Sequence, residues 1–266
     1  MDKKWNPIFT ISPETAQNLM RIEAVKIAVI SLPVSVSVLT ALRETARLEA
    51  IHYSTAIEGN RLTLEQVEQV LDNDMHFPGR VRDEQEVKNY FTALDALQEW
   101  IILKRPVTEI FIQELHAMVM GKHSKTKKIL DPYRDGQNVI RDAATGAIIY
   151  LPPQAIDVPE LMQQLCIWIS EVKNVLPAPL VAALIHYQFA TIHPYFDGNG
   201  RTARLLTTYF LHYAGYDLKG IYNLEEYYAQ NLFDYYKALQ VGLSHNYYEG
   251  RAEADLTDWG SEEHTS

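Results

Sequence analysis

The residues that could support a chemical reaction lie together between His193 and Arg204. This segment holds a histidine followed by Pro194, then an aspartate at position 197, two glycines and two arginines. Because a proline disfavours the helical conformation in the residue before it, we expect a helix to end at His193 and its imidazole to lie at the mouth of a loop. Residues 197–200 form a glycine-rich turn, which lets a ligand approach the backbone closely.

The helix expected after this turn favours an anion at the same place. Its first N–H groups have no partner within the helix and attract negative charge. Arg201 and Arg204 lie three residues apart near this end, where the helix dipole disfavours each cation by roughly 0.3 to 1 kcal/mol. A bound anion would offset that cost. With His193 as a candidate base and Asp197 as a hard oxygen ligand for Mg²⁺, the segment predicts phosphoryl or nucleotidyl transfer.

The whole segment is more informative than its parts. Taken alone, each fragment is also compatible with an ordinary turn or helix end. Together, the twelve residues from His193 to Arg204 resemble the motif of the Fic family, His-x-Phe-x-(Asp/Glu)-Gly-Asn-Gly-Arg-x-x-Arg. One position departs from it, since Tyr195 stands where the family usually has Phe. The added hydroxyl needs a hydrogen-bonding partner or water if it is buried.

The resemblance implies an activity and a role for each matching position. Fic proteins transfer AMP from ATP to a hydroxyl side chain of a target protein. By resemblance, His193 would take the proton from the Tyr, Thr or Ser hydroxyl of the target, and Asp197 would hold Mg²⁺ between the α- and β-phosphates. Nucleotide-binding roles would fall on Gly198, Asn199, Gly200, Arg201 and Arg204.

A second segment resembles the inhibitory motif of the same family, (Ser/Thr)-x-x-x-Glu-(Gly/Asn). It runs from Ser54 through Glu58 to Gly59 and precedes the presumed core. As a bare pattern it is also typical of a solvated helix end. The carboxylate of Glu58 suits a charge-assisted pair with Arg204, in which it would occupy the place of the γ-phosphate. We therefore expect an autoinhibited enzyme.

The resemblance leaves the direction of the reaction open. In some relatives the same glutamate assists the removal of AMP from a modified protein. A third hypothesis, beside the transfer and the removal of AMP, is that the chain is an interaction or regulatory module that binds a nucleotide in the same pocket.

Three further site predictions rest on the resemblance alone. Asn231 falls where Fic proteins place a nucleotide-contacting residue after the motif, although a solvated helical asparagine fits as well. Ile148 and Tyr150 match the family's flap, which pairs with an extended segment of the target. Ordinary hairpin packing is the alternative for both.

The elements that must position these residues are mainly helices. Capping residues and apolar spacing predict one helix that Asp157 caps, and others over residues 34–52, 64–71, 87–102, 108–119, 179–190, 202–213 and 224–243. Two β-favouring runs within residues 138–151 predict a single hairpin. We expect a mainly α fold, a Fic-type helical bundle with one β-hairpin flap over the active site.

The expected organisation has three parts. Residues 1–105 form an N-terminal helical region with the inhibitory motif. Residues 106–245 form the catalytic core with its flap at about 138–152. Residues 246–266 form a polar tail or the start of a truncated C-terminal element.

Composition limits the partners. The 24 Lys and Arg residues against 34 Asp and Glu residues give a formal net charge of −10. This disfavours a general binder of nucleic acid or anionic membranes, so that nucleic acid would be reached only through an unseen C-terminal element.

The single cysteine, Cys166, excludes an intramolecular disulfide and a multi-cysteine zinc site. No segment has the apolar length of a membrane span. We expect a cytoplasmic protein that acts on a target protein, with homodimerisation left open.

Overall fold

The structure is a computed structural model that describes residues 4–122, 129–141, 145–241 and 245–262. Within them the chain is mainly α, as predicted, with one two-stranded antiparallel hairpin. The helices of the first half are α1 (Pro13–Ser31), α2 (Val36–Ile57), α3 (Leu64–Asn73), α4 (Val81–Ile102) and α5 (Glu109–Val119). Those of the second half are α6 (Val158–Val172), α7 (Ala178–Ile192), α8 (Asn199–Tyr213), α9 (Glu225–Gln230), α10 (Leu232–Ala238) and α11 (Thr257–Glu262). The strands are β1 (Ile140–Arg141) and β2 (Ile148–Tyr150).

Helix α7 is the centre of the bundle. It is apolar on all sides, and nearly all of its side chains are buried, as expected for a helix surrounded by protein. It packs against α8 on one side and α6 on another. The end of α7 and the start of α8 are therefore held by the core, and the segment between them begins and ends at fixed points.

Local capping explains several helix starts. The predicted capping box is present at α3, where Thr63 accepts from the Gln66 amide and the Gln66 side chain accepts from the Thr63 amide. Helix α4 begins earlier than predicted, at Val81, and Asp83 lies inside its first turn instead of capping it. An acidic residue there interacts favourably with the helix dipole, which accounts for the early start.

The prediction of one long helix over residues 224–243 is wrong. The chain forms α9 and α10 with a break at Asn231, whose backbone angles are φ −118° and ψ 39°. Both the amide and the side-chain N–H of Asn231 donate to the carbonyl of Tyr227. The backbone bond of the helical ladder is kept, so the break lies in the non-helical backbone angles of Asn231, which apolar spacing does not reveal.

The remaining differences concern the ends of the chain and the hairpin. Helix α1, capped by the Ser12 hydroxyl, had no counterpart in the sequence prediction. The hairpin is present but shorter than expected, and residues 142–144 of its turn lie outside the described residues. Among the helices that are described, none has the length and apolarity needed to cross a bilayer.

The C-terminal stretch is joined to the bundle by Trp259 of α11. Its indole is 1% exposed and donates from Nε1 to the carbonyl of Ala183 on α7, at 2.8 Å. The backbone of Leu256 also donates to the carbonyl of Ile8, which ties the two ends of the described chain together. This part of the stretch is packed against the core.

We predict that Trp259→Ala lowers the free energy of unfolding by about 3 to 5 kcal/mol, because it removes a large buried side chain. Urea denaturation followed by circular dichroism measures the change. The matched control is Phe233→Ala on α10, whose ring is 78% exposed and whose loss should change stability by about 0.5 kcal/mol or less. Equal effects of the two substitutions would contradict the packing of α11.

Candidate active site

The candidate base, His193, lies directly after α7. The helix ends at Ile192, as the following proline predicted, and His193 adopts a left-handed conformation with φ 50°. Arg134 holds this backbone. Its Nε donates to the His193 carbonyl at 2.9 Å, and its amide donates to the carbonyl of Pro194 at 2.9 Å. Arg134 is 4% exposed, and no pattern in the sequence identified it.

The imidazole of His193 is suited to accept a proton. Burial lowers the pKa of His193 to about 4, even though a hydrogen bond to the backbone of Ala190 opposes the shift. The ring is therefore neutral at pH 7. A neutral imidazole has one nitrogen without a proton, and this nitrogen can accept one.

The turn after His193 is shaped by its own side chains. Asn199 makes two hydrogen bonds with the backbone of Tyr195, accepting from its amide at 3.0 Å and donating to its carbonyl at 2.8 Å. The Gly198 amide donates to Oδ1 of Asp197 at 2.6 Å, so this amide is not free for a ligand. The Asn199 side chain thus fixes the loop and does not face a ligand.

The start of α8 offers free donors, and Glu58 lies against them. In the described part of the chain, the amides of Asn199, Gly200 and Arg201 have no acceptor. A Cβ on Gly200 would clash with Oε1 of Glu58. The carboxylate therefore sits directly on the backbone where a bound anion is expected.

Arg204 brings the two predicted motifs together. Its Nη2 donates to Oε1 of Glu58 at 2.8 Å and to the Ser54 carbonyl at 2.8 Å, and its Nε donates to the Ser54 hydroxyl at 2.8 Å. The guanidinium is 1% exposed and the Glu58 side chain 32%. Burial, the largest single influence, would lower the pKa of Arg204, but the charge of Glu58, the hydrogen bond to it and the neighbouring Tyr235 and Tyr90 together raise that pKa above its ordinary value.

Arg201 is held less tightly. Its Nη2 lies 3.3 Å from Oδ1 of Asp197, and its Nη1 lies 3.8 Å from Oε1 of Glu86 on α4. Its Nε is buried and has no partner among the described residues. A buried guanidinium with long, incomplete contacts can gain hydrogen bonds from an incoming anion.

Asp197 offers a hard oxygen donor at the edge of the loop. Its side chain is 53% exposed. The described residues contain no group of three potential ligands that would form a metal site by themselves. This fits Mg²⁺, which commonly takes one or two carboxylates and completes its shell with substrate phosphates and water.

The weaker site predictions are placed as follows. Tyr150 is buried and donates from its hydroxyl to the Thr191 carbonyl at 2.8 Å, which anchors the hairpin beside the end of α7. Ile148 is 52% exposed on the same hairpin. Asn231 is not hydrogen-bonded to residues 193–204 in the part of the chain that is described, and its side chain bonds to Tyr227.

A cavity of about 590 Å³ lies elsewhere, between α2, α4 and α8. None of residues 193–204 lines it. The cavity is therefore separate from the chemistry-bearing groups.

Comparison with known families agrees with this geometry. Residues 106–211 match the model of the Fic/DOC family. This chain belongs to the Fic family. The matched range contains His193, Arg204 and the loop between them, and the segment with Glu58 lies before it.

The Fic chain is similar to two curated proteins named "Protein adenylyltransferase Fic". The one from Drosophila willistoni is 32% identical over 202 residues, which are 75% of this chain and 39% of the relative. The one from Drosophila mojavensis is 35% identical over 182 residues, which are 68% of this chain and 34% of the relative. The chain therefore spans less than two fifths of these relatives.

Solved Fic structures share the fold over most of the chain. A Fic family protein from Desulfovibrio desulfuricans G20 has a TM-score of 0.77 and 28% identity, covering 98% of this chain and 74% of that one. A Fic domain containing signaling protein from Bacteroides thetaiotaomicron has a TM-score of 0.73 and 25% identity, covering 93% and 89%.

Tyr195, the departure from the Fic motif, is stacked on His116 of α5. The ring centroids lie 3.4 Å apart and the planes differ by 4°. His116 in turn donates from Nε2 to the Asp197 carbonyl at 2.9 Å, and its Nδ1 lies 2.8 Å from Oδ2 of Asp131. The Tyr195 hydroxyl is buried and has no partner within the described residues, so the ring alone provides the contact.

His116 therefore supports the Fic loop from behind. We predict that His116→Phe, which keeps a flat ring beside Tyr195 but loses both hydrogen bonds, lowers the free energy of unfolding by about 1 to 3 kcal/mol. Urea denaturation measures the effect. His212→Phe on α8 is the control, because the ring of His212 has an aromatic contact with Tyr222 and no hydrogen bond to the loop. A loss no larger for position 116 than for position 212 would contradict the supporting role.

Proposed function

We propose that this protein transfers AMP from ATP to a hydroxyl side chain of a target protein and that Glu58 inhibits the transfer. The observation that carries the proposal is the position of the Glu58 carboxylate, between the buried guanidinium of Arg204 and the free amides at the start of α8. An anion site built from a helix start and an arginine suits a phosphate group. The Glu58 carboxylate, 2.8 Å from Nη2 of Arg204, would compete with a phosphate for this place.

The proposed reaction uses His193 as a general base. The target hydroxyl oxygen attacks the α-phosphorus, its proton passes to the free nitrogen of His193, and the bond from the α-phosphorus to the bridging oxygen breaks to release pyrophosphate. Mg²⁺ held by Asp197 would neutralise charge on the phosphates. Arg201 and Arg204 would bind the β- and γ-phosphates of the leaving group.

The proposed inhibition follows from competition for Arg204. While Glu58 is bound there, a γ-phosphate meets an occupied site and like-charge repulsion, so the triphosphate would bind with its α-phosphate turned away from the hydroxyl. Support for the role of the target comes from the names of the curated relatives, which are protein adenylyltransferases. The exposed Ile148 of the hairpin would pair with an extended segment of the target.

We predict that Glu58→Gly raises the rate of AMP transfer, including transfer to the protein itself, by roughly 10- to 100-fold. A hydrogen bond between charged groups contributes about 1.5 to 3 kcal/mol, and a factor of ten corresponds to about 1.4 kcal/mol. The measurement is covalent labelling from α-³²P-ATP with magnesium, with intact mass to locate the added AMP. Equal rates for the variant and the parent would contradict inhibition by Glu58.

Two variants serve as controls for this experiment. Glu44→Gly makes the same substitution on an exposed part of α2 and should leave the rate unchanged. His193→Ala in the Glu58→Gly protein should lower labelling by about 10² to 10⁴-fold while nucleotide still binds, because it removes only the base. Unchanged labelling in that protein would refute the assigned base. Labelling absent even with His193 intact would favour a nucleotide-binding regulatory module.

The direction of reaction is tested with the products of the same assay. If the parent removes AMP from labelled target while the Glu58→Gly protein does not, Glu58 assists the hydrolysis that releases AMP. If neither protein removes it, the transfer reaction stands alone.

The pH dependence follows from the pKa of His193. Because burial lowers that pKa to about 4, the ring stays neutral as the pH falls through 6.5, and only near pH 4 does protonation remove the base. The labelling rate of Glu58→Gly protein should therefore be constant between pH 6 and 8 and fall only as the pH approaches 4. Circular dichroism at each pH verifies that the fold persists. A rate that halves near pH 6.5 in folded protein would contradict the buried base.

A further inference from the structure

Arg82, in the first turn of α4, lies at the edge of the candidate active site and has no role in the proposed transfer of AMP. Its Nη2 is 3.7 Å from Oδ2 of Asp197, the proposed magnesium ligand, and its side chain is 77% exposed. It comes from a helix outside the matched family range. Like Arg201, it is a cation near the positive end of a helix, where an anion is favoured.

Glu86 holds Arg82 in this position. The Nε of Arg82 donates to Oε1 of Glu86 at 2.9 Å, one helical turn further along α4. Glu86 is only 13% exposed and accepts from Nδ2 of Asn60 at 3.2 Å. Because the Nε edge of the guanidinium is taken, its two terminal nitrogens remain for a ligand on the side of Asp197.

Charge at the site favours the release of Arg82 from Asp197 when the substrate binds. In the structure, Arg82, Arg201 and Arg204 are balanced by three carboxylates, those of Asp197, Glu86 and Glu58. A divalent cation on Asp197 would repel the Arg82 guanidinium, and a triphosphate that displaces Glu58 would supply new negative charge nearby. The weak contact at 3.7 Å in an exposed place costs little to break.

We propose that Arg82 is a further nucleotide-binding residue, whose guanidinium turns from Asp197 to the terminal phosphates of a bound nucleoside triphosphate. This inference rests on the proposed function, since it requires that the loop binds a triphosphate. It predicts that Arg82 affects the binding of triphosphates and has little effect on monophosphates. Its neighbour Arg80 pairs with Asp83 on the same helix and serves as the matched control.

The test is equilibrium binding by calorimetry in the Glu58→Gly protein with Mg²⁺. The probes are α,β-methylene-ATP, in which the bond broken in AMP transfer is replaced by a methylene bridge, and AMP. Arg82→Gln should weaken binding of the triphosphate analogue about five- to tenfold and change AMP binding by less than about twofold. Arg82→Lys, which keeps the charge, should stay within about threefold of the parent, and Arg80→Gln should match the parent.

Each outcome decides between the readings. If the Glu58→Gly protein binds the analogue and Arg82→Gln binds it equally well, the inference is wrong and the proposed function stands. If Arg82→Gln weakens AMP and the analogue alike, Arg82 acts through the loop, and the assignment to the phosphates is also wrong. If the Glu58→Gly protein binds neither nucleotide, the proposed function fails and the inference fails with it.

Discussion

Arg204 is a full positive charge with almost no access to water, and a charge in that position requires an anion beside it. Ser54 supplies two neutral acceptors, and Glu58 supplies a negative charge in direct contact with the guanidinium. The carboxylate is partly exposed, whereas the guanidinium is not. Of the two groups in this ion pair, the Glu58 carboxylate is therefore the one that another anion can replace. A phosphate in its place would also supply negative charge to Arg204, so the proposed inhibitor and a nucleotide phosphate would compete for one place.

The loop beside this pair is held by groups that bind its backbone. Arg134 binds the carbonyl of His193, Asn199 binds both backbone groups of Tyr195, and His116 binds the carbonyl of Asp197. These contacts leave the side of the loop that faces Glu58 open. In the proposed inhibition these contacts keep the loop in place, and the Glu58 carboxylate at the end of α2 is the group that has to leave.

The sequence was sufficient for the local features of the fold and site. The motif from His193 to Arg204 is contiguous, so its turn and helix start could be predicted from proline, glycine and charge alone. The prediction that Glu58 pairs with Arg204 rested on the resemblance of residues 54–59 to a second motif. The supporting residues Arg134 and His116 could not be predicted, because their partners are backbone carbonyls distant in sequence. The break at Asn231 was not predicted either, because apolar spacing does not indicate non-helical backbone angles at a single residue.

Gly200 shows why a substitution at the start of α8 would not separate the proposed inhibition from nucleotide binding. The space that a Cβ would need at this residue overlaps the space that Oε1 of Glu58 occupies. A methyl group there would expel Glu58 and, for the same steric reason, would narrow the room for a phosphate. Under the proposed inhibition, relief would therefore have to come from a change of Glu58 itself and not from a change of residue 200.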